Sequence, residues 1–312
     1  IIGVIGIIIF GIMFIRTEGQ KTWTKEYMKN IGFIGVGYMG YGIAKNILKN
    51  KNKLYVIANK NRKPIEKIVK EGAEEVNSFE DFGNKNLDAL FMCVTNTPIA
   101  KSISEKMSKI LNDKIIVIDI TTHNKSGSIE TNSVYKKNNI SYVECPVMGG
   151  PVQAEEGVLG GIVGASEENF KKAEPYLKFF CKDYFYFGEV GMGAKSKLLN
   201  NFLSLGNGAL VNHLAIGAKE LGLDLQKVFS VAKLGSGNSA ALNRVFDNLL
   251  KGDFTGFKFT ASNSVKDLTY IQDLLKDFPE AEKVAEVNKN YFQKAVDQGY
   301  GENFISELIN KK

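Results

Sequence analysis

Histidine and cysteine are scarce in this chain of 312 residues, which contains two histidines and three cysteines. Neither His123 nor His213 begins an H-E-x-x-H motif or a Ser-His-Asp arrangement, so histidine-based metal or nucleophilic chemistry is disfavoured. Cys93, Cys145 and Cys181 are far apart and show no C-x-x-C spacing, which argues against a disulfide framework and against a zinc site. The sequence therefore predicts no metal site and a reducing, cytoplasmic location.

Blocks of like charge are also lacking. The formal net charge is +6, but the lysines and arginines are spread along the chain and no basic segment alternates with aromatic residues. A nucleic-acid partner is therefore not predicted, whereas a modest attraction for small anions is. A hydrophobic fraction of 44% and a charged fraction of 24% indicate a globular protein, and its length is sufficient for two domains.

An apolar run at residues 1–15 is followed by Arg16, Lys21 and Lys25. The run is shorter than the roughly 20 residues that span a bilayer. It also lacks the charged leader and the small-residue cleavage site of a signal peptide. We expect Met28 to be the biological start and residues 1–27 to be an extension outside the fold. A truncated membrane anchor at residues 1–15 stays open as the alternative.

A glycine-rich turn follows the first apolar strand, which is predicted at residues 31–34. Gly35, Gly37 and Gly40 stand at G-x-G-x-x-G spacing before a helix-periodic segment. In this motif the first glycine allows the tight turn, the second lets a pyrophosphate approach, and the third lets helix and strand pack closely. The pyrophosphate binds free N–H groups at the helix N-terminus. A second strand at residues 54–58 completes a βαβ unit, which favours a dinucleotide site over an ordinary turn at Gly35, Val36, Gly37, Tyr38, Met39 and Gly40.

The turn after the second strand bears on which dinucleotide binds. An NAD site usually places an acidic residue about twenty positions past the glycines, whereas a basic residue accommodates the 2′-phosphate of NADP. Lys60 stands at that position, and no carboxylate lies between it and Glu66. Asn59, Lys60 and Arg62 therefore predict a preference for NADP(H). A solvated basic turn is the alternative interpretation.

Strands and helices continue to alternate after this unit, as in a doubly wound parallel sheet. Further strands are predicted to extend the sheet at residues 89–94, 115–120, 142–147, 161–163 and 184–187. The carboxyl ends of parallel strands face the ligand crevice. Unless they only form turns, the residues predicted to line the cofactor at these ends are Val94, Thr95, Asn96 and Thr122.

Strand signals disappear beyond Gly193. A long helix is predicted from residue 195 to about residue 221, and shorter helices follow at about residues 225–233, 240–250, 262–276, 281–297 and 304–310. We therefore place a domain boundary near Gly191. Residues 28–190 form the predicted cofactor domain, and residues 191–312 form a predicted all-helical domain.

Four motifs in this order resemble those of the β-hydroxyacid dehydrogenase family, which includes 3-hydroxyisobutyrate dehydrogenase and glyoxylate/succinic semialdehyde reductases. They are the glycine loop at residues 35–40, Asp119-Ile120-Thr121-Thr122, Pro146-Val147-Met148-Gly149-Gly150 with Ala154 and Gly157, and Gly191-x-Gly193 leading to Lys197-Leu198-Leu199-Asn200-Asn201. Lys266-Asp267-Leu268 matches a fifth motif. The resemblance runs from Met28 nearly to the C-terminus.

The resemblance implies an α/β, Rossmann-type doubly wound sheet followed by an all-α C-terminal domain that carries the contacts of a dimer or tetramer. It assigns Thr122 and Lys266 to the cofactor, and catalysis to Lys197 with Asn201. Gly149 and Gly150, whose N–H groups follow a strand directly, would bind the substrate carboxylate. The residues that it places at the substrate are Thr122, Met148, Gly149, Gly150, Lys197 and Asn201.

Two positions depart from the family pattern. Met148 stands where the family usually has serine, so a hydroxyl is replaced by an adaptable thioether. His213 stands on the long helix where a glutamate is usual. Both changes bear on the substrate, and Met148 suggests a less polar or differently shaped acid.

The sequence thus predicts an NADP-preferring oxidoreductase that interconverts a small 3-hydroxy acid and its oxo or semialdehyde form. Imine reduction on the same fold is one alternative, although a lysine beside an iminium would be electrostatically unfavourable. A catalytically silent nucleotide-binding protein is another, because a fold does not establish a function. The expected partners are a small carboxylate substrate and further copies of the chain, and a membrane is expected only if the apolar run is an anchor.

Overall fold

The computed structural model describes residues 28–59 and 61–311. The predicted extension at residues 1–27 and Lys60 of the basic turn therefore lie outside the described residues. Within the described part of the chain, none of the helices combines the length and the apolar character that crossing a membrane requires.

Six parallel strands form the main sheet, in the order β3-β2-β1-β4-β5-β6. Strands β4 and β5 are buried at every position because helices cover both faces, which explains their continuous apolar sequences. β2 and β3 lie on one side of β1, and β4, β5 and β6 lie on the other, which is the strand order of a doubly wound sheet. The predicted Rossmann-type sheet is therefore confirmed. The strands are β1 (Asn30–Ile34), β2 (Lys53–Ile57), β3 (Glu74–Val76), β4 (Ala89–Met92), β5 (Ile116–Asp119) and β6 (Ser141–Glu144).

Helices pack on both faces of this sheet. The alternation of side chains along β2 shows the two layers, because Leu54 and Val56 join the apolar cluster on one face while Tyr55 joins the cluster on the other. The helices of this half are α1 (Tyr38–Lys49), α2 (Lys63–Lys70), α3 (Thr97–Met107), α4 (Gly127–Lys136), α5 (Pro151–Glu156) and α6 (Glu167–Leu177).

The later strands do not extend the parallel sheet, so that prediction is wrong. β7 (Val147–Met148), β8 (Leu159–Val163) and β9 (Cys181–Tyr186) form a separate sheet, in which β7 is antiparallel to β8. The strand predicted at residues 142–147 breaks after Glu144, because Pro146 has no N–H to donate to a strand ladder. The turn at Gly149 and Gly150, called the glycine turn below, and α5 then reverse the chain direction before β8.

The second half of the chain is helical, as predicted. Its core contains Leu198, Leu205, Phe246, Leu268 and Phe292, all fully or almost fully buried. The helices are α7 (Met192–Glu220), α8 (Leu225–Leu234), α9 (Ala240–Leu249), α10 (Ala261–Leu275) and α11 (Pro279–Ala295), followed by a π-helical turn (Val296–Tyr300) and a 3₁₀ turn (Ile305–Asn310).

A buried carboxylate connects the two halves. Glu144, at the end of β6, is fully buried, and its Oε1 accepts hydrogen bonds from the N–H groups of Gly191 at 2.5 Å and Gly193 at 2.9 Å. Burial raises the pKa of this carboxyl, whereas the N–H donors of Gly191 and Gly193 oppose the increase. A carboxylate at this place also complements the dipole of the 29-residue α7. Glu144 therefore determines where α7 begins relative to the sheet.

Candidate active site

The glycine loop has different steric requirements at its three glycines. A Cβ at Gly35 would lie 2.1 Å from the carbonyl oxygen of Cys93, and a Cβ at Gly40 would lie 2.1 Å from that of Gly35. Gly35 also has a φ of +101°, which disfavours any other residue. A Cβ at Gly37 would meet no atom within 4 Å. Gly35 and Gly40 are thus required by packing, whereas Gly37 borders open space at the N-terminus of α1.

A cleft of about 680 Å³ lies beside this loop, between the sheet half and the helical half. Its volume is in the range of cofactor sites, and the free N–H groups of α1 adjoin it, so the residues present fit a dinucleotide. The cleft brings together many of the predicted site residues, namely Gly37, Tyr38, Met39, Gly40, Val94, Thr95, Thr122, Gly149, Gly150, Lys197, Asn201 and Lys266.

Other predicted cofactor residues do not line the cleft. Val36 is buried beneath the loop, and Gly35 lies against Cys93. Asn96 is the N-cap of α3, where its side chain accepts a hydrogen bond from the N–H of Ile99 at 3.0 Å. This local role follows from the preference of asparagine for N-caps.

The basic turn lies at the far end of β2. Asn59 is exposed there, and Arg62 pairs with Glu75 of β3 at 3.0 Å and with Glu66 at 3.8 Å. The Glu75 contact was not predicted, because β3 is a short polar strand that lacks an apolar signal. Any phosphate that binds Arg62 must therefore compete with Glu75.

Lys197 reaches from α7 towards the sheet half. Its Nζ donates a hydrogen bond to the carbonyl oxygen of Val147 at 2.8 Å and lies 3.5 Å from the Sδ of Met148. Burial lowers the pKa of this amine to about 8, while the charge of Asp267 opposes the decrease and that of Lys266 adds to it. An amine with such a pKa can exchange a proton near neutral pH.

Asn201 lies one turn further along α7, as its spacing from Lys197 predicts. Its Nδ2 donates a hydrogen bond to the Oδ2 of Asp267 at 2.6 Å. Asp267 is buried and also lies 2.8 Å from the Nζ of Lys266, which in turn donates to the carbonyl oxygen of Thr95 at 3.0 Å. Asp267 therefore orients the Asn201 amide, and Lys266 bridges the cleft. Asp267 stood in a recognised motif, but no role was predicted for it.

Helix α1, which follows the glycine loop, holds the segment that follows the turn at Gly149 and Gly150. The Nδ2 of Asn46 on α1 donates to the carbonyl oxygen of Ala154 at 2.8 Å, and a Cβ at Gly42 would lie 2.5 Å from the backbone of Ala154. α1 and α5 are thus in direct backbone contact. At the turn itself, the N–H of Gly150 donates to the Oε1 of Gln153 at 2.9 Å, so a carboxylate would have to displace that side chain to use it.

A second pocket of about 370 Å³ adjoins the cleft and shares Lys197, Asn201 and the glycine turn with it. Met148, predicted to lie at the substrate, lines this pocket. His213 lines neither space, because it packs against Tyr291 at 4.6 Å between ring centroids. We therefore see no contact through which His213 would affect the substrate, contrary to the expectation from the sequence.

Several residues of the cleft were missed by sequence reasoning. Phe304, from the C-terminal segment, packs edge-on against Tyr38 of the glycine loop at 6.4 Å. Phe259, Thr260 and Asn263 also line the cleft from the helical half. None of them belongs to a glycine motif or follows a strand, so only the packing of the two halves could reveal them. The residues described include no group of three or more potential metal ligands.

Comparison with known proteins agrees with this geometry. Residues 30–188 match the family described as the NAD binding domain of 6-phosphogluconate dehydrogenase, and residues 191–311 match the NAD-binding domain of NADP-dependent 3-hydroxyisobutyrate dehydrogenase. A curated relative, 2-(hydroxymethyl)glutarate dehydrogenase from Eubacterium barkeri, is 30% identical over 72% of this chain and 76% of its own. The chain belongs to the β-hydroxyacid dehydrogenase family. It is an NAD(P)-dependent dehydrogenase.

Solved structures show how widely this dehydrogenase shares its fold. 3-Hydroxyisobutyrate dehydrogenase from Salmonella typhimurium superimposes with a TM-score of 0.80 at 23% identity, over 90% of this chain and 99% of that one. An imine reductase from Pseudomonas sp. gives a TM-score of 0.62 at 17% identity, over 91% and 99% of the two chains. At these identities both comparisons concern the fold alone.

The open space at Gly37 generates a prediction. Gly37→Ala should leave the free energy of unfolding nearly unchanged, because the new Cβ meets no atom within 4 Å and the φ of −102° suits alanine. It should weaken NADPH binding by about tenfold or more, since it obstructs charge-assisted hydrogen bonds to the pyrophosphate. Titration calorimetry measures the affinity. Gly217→Ala, at another open position, is the control, and normal affinity in Gly37→Ala would contradict the assignment.

Proposed function

We propose that the protein is an NADP-preferring oxidoreductase that interconverts a short 3-hydroxy acid and its oxo or semialdehyde form. The observation that carries the proposal is the place of Lys197, which borders both the dinucleotide cleft and the adjoining pocket. A proton donor at this boundary can reach a carbonyl or hydroxyl group that lies between the two spaces. The relatives support the substrate class, because 2-(hydroxymethyl)glutarate and 3-hydroxyisobutyrate each carry a hydroxymethyl group next to the carbon that bears a carboxylate.

Lys197 acts as the general acid and base in this proposal. The nicotinamide, when bound, supplies or accepts the hydride. In reduction the Lys197 ammonium donates a hydrogen bond to the carbonyl oxygen, stabilises the developing negative charge and transfers a proton from Nζ. In oxidation the neutral amine accepts the hydroxyl proton. Asn201 holds the reacting oxygen, in an orientation that its bond to Asp267 maintains.

The remaining predicted residues bind and orient. The N–H groups of Tyr38, Met39 and Gly40 would bind the pyrophosphate, while Thr122 and Lys266 would contact the cofactor from the two sides of the cleft. The turn at Gly149 and Gly150 holds the substrate carboxylate after Gln153 has moved.

Imine reduction is less compatible with the site. The Lys197 ammonium would stand beside an iminium cation, and Lys266 adds a second positive charge nearby. A catalytically silent protein would have no need for a lysine with a lowered pKa between two adjoining spaces. Carbonyl chemistry is therefore the better proposal.

Lys197→Ala should lower kcat by about 10²–10⁴-fold, the usual contribution of general acid–base catalysis, with little change in NADPH affinity. In the wild type, kcat for oxidation should rise with pH through about 8, because oxidation needs the neutral amine, and kcat for reduction should fall above about 8. Steady-state kinetics in both directions provide the measurement. Lys195→Ala, which removes an exposed lysine of the same helix, is the matched control. Near-normal kcat in Lys197→Ala would rule out the role.

The proposed preference for NADPH depends on Asn59, Lys60 and Arg62. The pair between Arg62 and Glu75 is solvent-exposed, and such pairs are weak, so a 2′-phosphate can displace the carboxylate. Arg62→Gln should therefore lower kcat/KM for NADPH by about tenfold and leave that for NADH nearly unchanged. Glu75→Gln should have the opposite effect and increase the preference for NADPH, because Arg62 then has no competing carboxylate at this position. Equal kcat/KM for the two cofactors in the wild type would refute the proposal.

We also propose that the enzyme is a homo-oligomer and that it resides in the cytoplasm, where its three free cysteines stay reduced. Five exposed leucines support the oligomer, because their spacing places them on one face of α7 and its C-cap, and apolar stripes of this length are unfavourable in water. They are Leu199, Leu203, Leu210, Leu214 and Leu221, with exposed fractions of 37–76%.

The double substitution Leu203→Glu and Leu210→Glu should convert the oligomer to monomers, because it places charges in an apolar interface. Analytical ultracentrifugation measures the mass. Leu234→Glu, at a leucine of α8 that is 91% exposed, should leave the assembly intact. A wild-type protein that sediments as a monomer at micromolar concentration would show that the stripe is not an interface between copies.

A further inference from the structure

The pocket next to the cleft extends beyond Lys197, away from the glycine loop. Its far wall comes from α9 and from residues 253–259, and its near wall comes from the turn at Met148 to Gln153. The volume of about 370 Å³ exceeds the need of a carboxylate and one reacting carbon, since each water occupies only about 30 Å³ of liquid. A substrate that fills this pocket therefore carries a further substituent.

Three of the four charged residues that line this pocket are basic. Lys197, Arg244 and Lys258 line it, together with one acidic residue, Asp253. The Asp253 carboxylate already accepts a hydrogen bond from the N–H of Thr255 at 2.8 Å. The electrostatic character of the pocket is thus positive, which favours an anionic ligand group.

Arg244 is held in place without an acidic partner. Its guanidinium lies 5.2 Å above the ring of Phe257, and its Nε donates to the carbonyl oxygen of Ala240 at 3.2 Å. A Cβ at Gly256 would lie 2.3 Å from the carbonyl oxygen of Arg244, so the segment that carries Phe257 packs directly on α9. Among the described residues, no carboxylate lies within 4.0 Å of this guanidinium. Its two terminal nitrogens remain for bidentate binding of a ligand.

We propose that Arg244, assisted by Lys258, binds a second carboxylate of the substrate, so that the enzyme acts on hydroxy dicarboxylic acids. The inference rests on the proposed function and specifies its substrate class. The first carboxylate lies at the glycine turn, the reacting carbon lies at Lys197, and the second carboxylate lies at Arg244. Met148 borders the space between them, where its thioether suits a methylene chain better than a hydroxyl would.

The test compares two substrates that differ in one terminal group. 2-(Hydroxymethyl)glutarate ends in a carboxylate, and 2-(hydroxymethyl)pentanoate ends in a methyl group on a chain of equal length. With NADP⁺, the wild type should show a kcat/KM for the diacid that is about tenfold or more above that for the monoacid, because charge-assisted bonds to the second carboxylate are lost in the monoacid.

Arg244→Gln should remove this advantage, chiefly through a higher KM for the diacid. Arg244→Lys should retain part of it, because lysine keeps the charge but not the bidentate geometry. Lys258→Gln should show a smaller loss. Lys251→Gln, which removes an exposed charge near Asp253 but outside the pocket wall, is the control and should keep the full ratio.

Three results would overturn the inference. If the wild type oxidises the monoacid as well as the diacid, or if Arg244→Gln keeps the wild-type ratio, the second carboxylate is not bound here, although the proposed oxidoreductase function stands. If neither compound reacts and no short semialdehyde is reduced with NADPH, the proposed function is wrong and the inference fails with it.

Discussion

The bond between the Glu144 carboxylate and the first N–H groups of α7 is the constraint on which the site depends. It is buried, it joins the end of β6 to the start of the helical half, and a charged acceptor at a helix N-terminus is directional. Gly164 must lack a side chain to admit it, because a Cβ there would lie 2.1 Å from Glu144 Oε1. Once the start and direction of α7 are set, the places of Lys197 and Asn201 follow from helix geometry.

The site that results is built from both halves and connected across the cleft. Lys197 crosses to the carbonyl oxygen of Val147, and Lys266 crosses to that of Thr95. The buried Asp267 carboxylate contacts the Lys266 ammonium and the Asn201 amide, and its charge also attracts the Lys197 ammonium. The pKa of the Lys197 amine is lowered to about 8, because the effect of burial outweighs the attraction of the Asp267 charge.

The sequence predicted those parts of the molecule that depend on local patterns. The glycine spacing and apolar runs located β1, α1 and β2, and the helix-periodic residues located the helical half. β3 was missed because Glu74-Glu75-Val76 has almost no apolar signal, and the ion pair of Arg62 with Glu75 was missed with it. Arg244 and Phe304 reach the site only through tertiary packing, which leaves no periodic mark in the sequence. The antiparallel direction of β7 relative to β8 was also missed, because it results from the turn between them and not from the apolar pattern of either strand.

The backbone contact between α1 and α5 has a stereochemical consequence. Asn46 and Gly42 lock the helix behind the dinucleotide loop to Ala154, immediately beyond the turn proposed for the substrate carboxylate. The reductant and the anchored end of the substrate would thus share one rigid body, while the proton source belongs to the other half. Small movements between the halves would change the rate of proton transfer more than the face of the carbonyl group that is presented to the hydride. In the proposed reaction, the facial selectivity of hydride transfer is therefore set mainly within the sheet half.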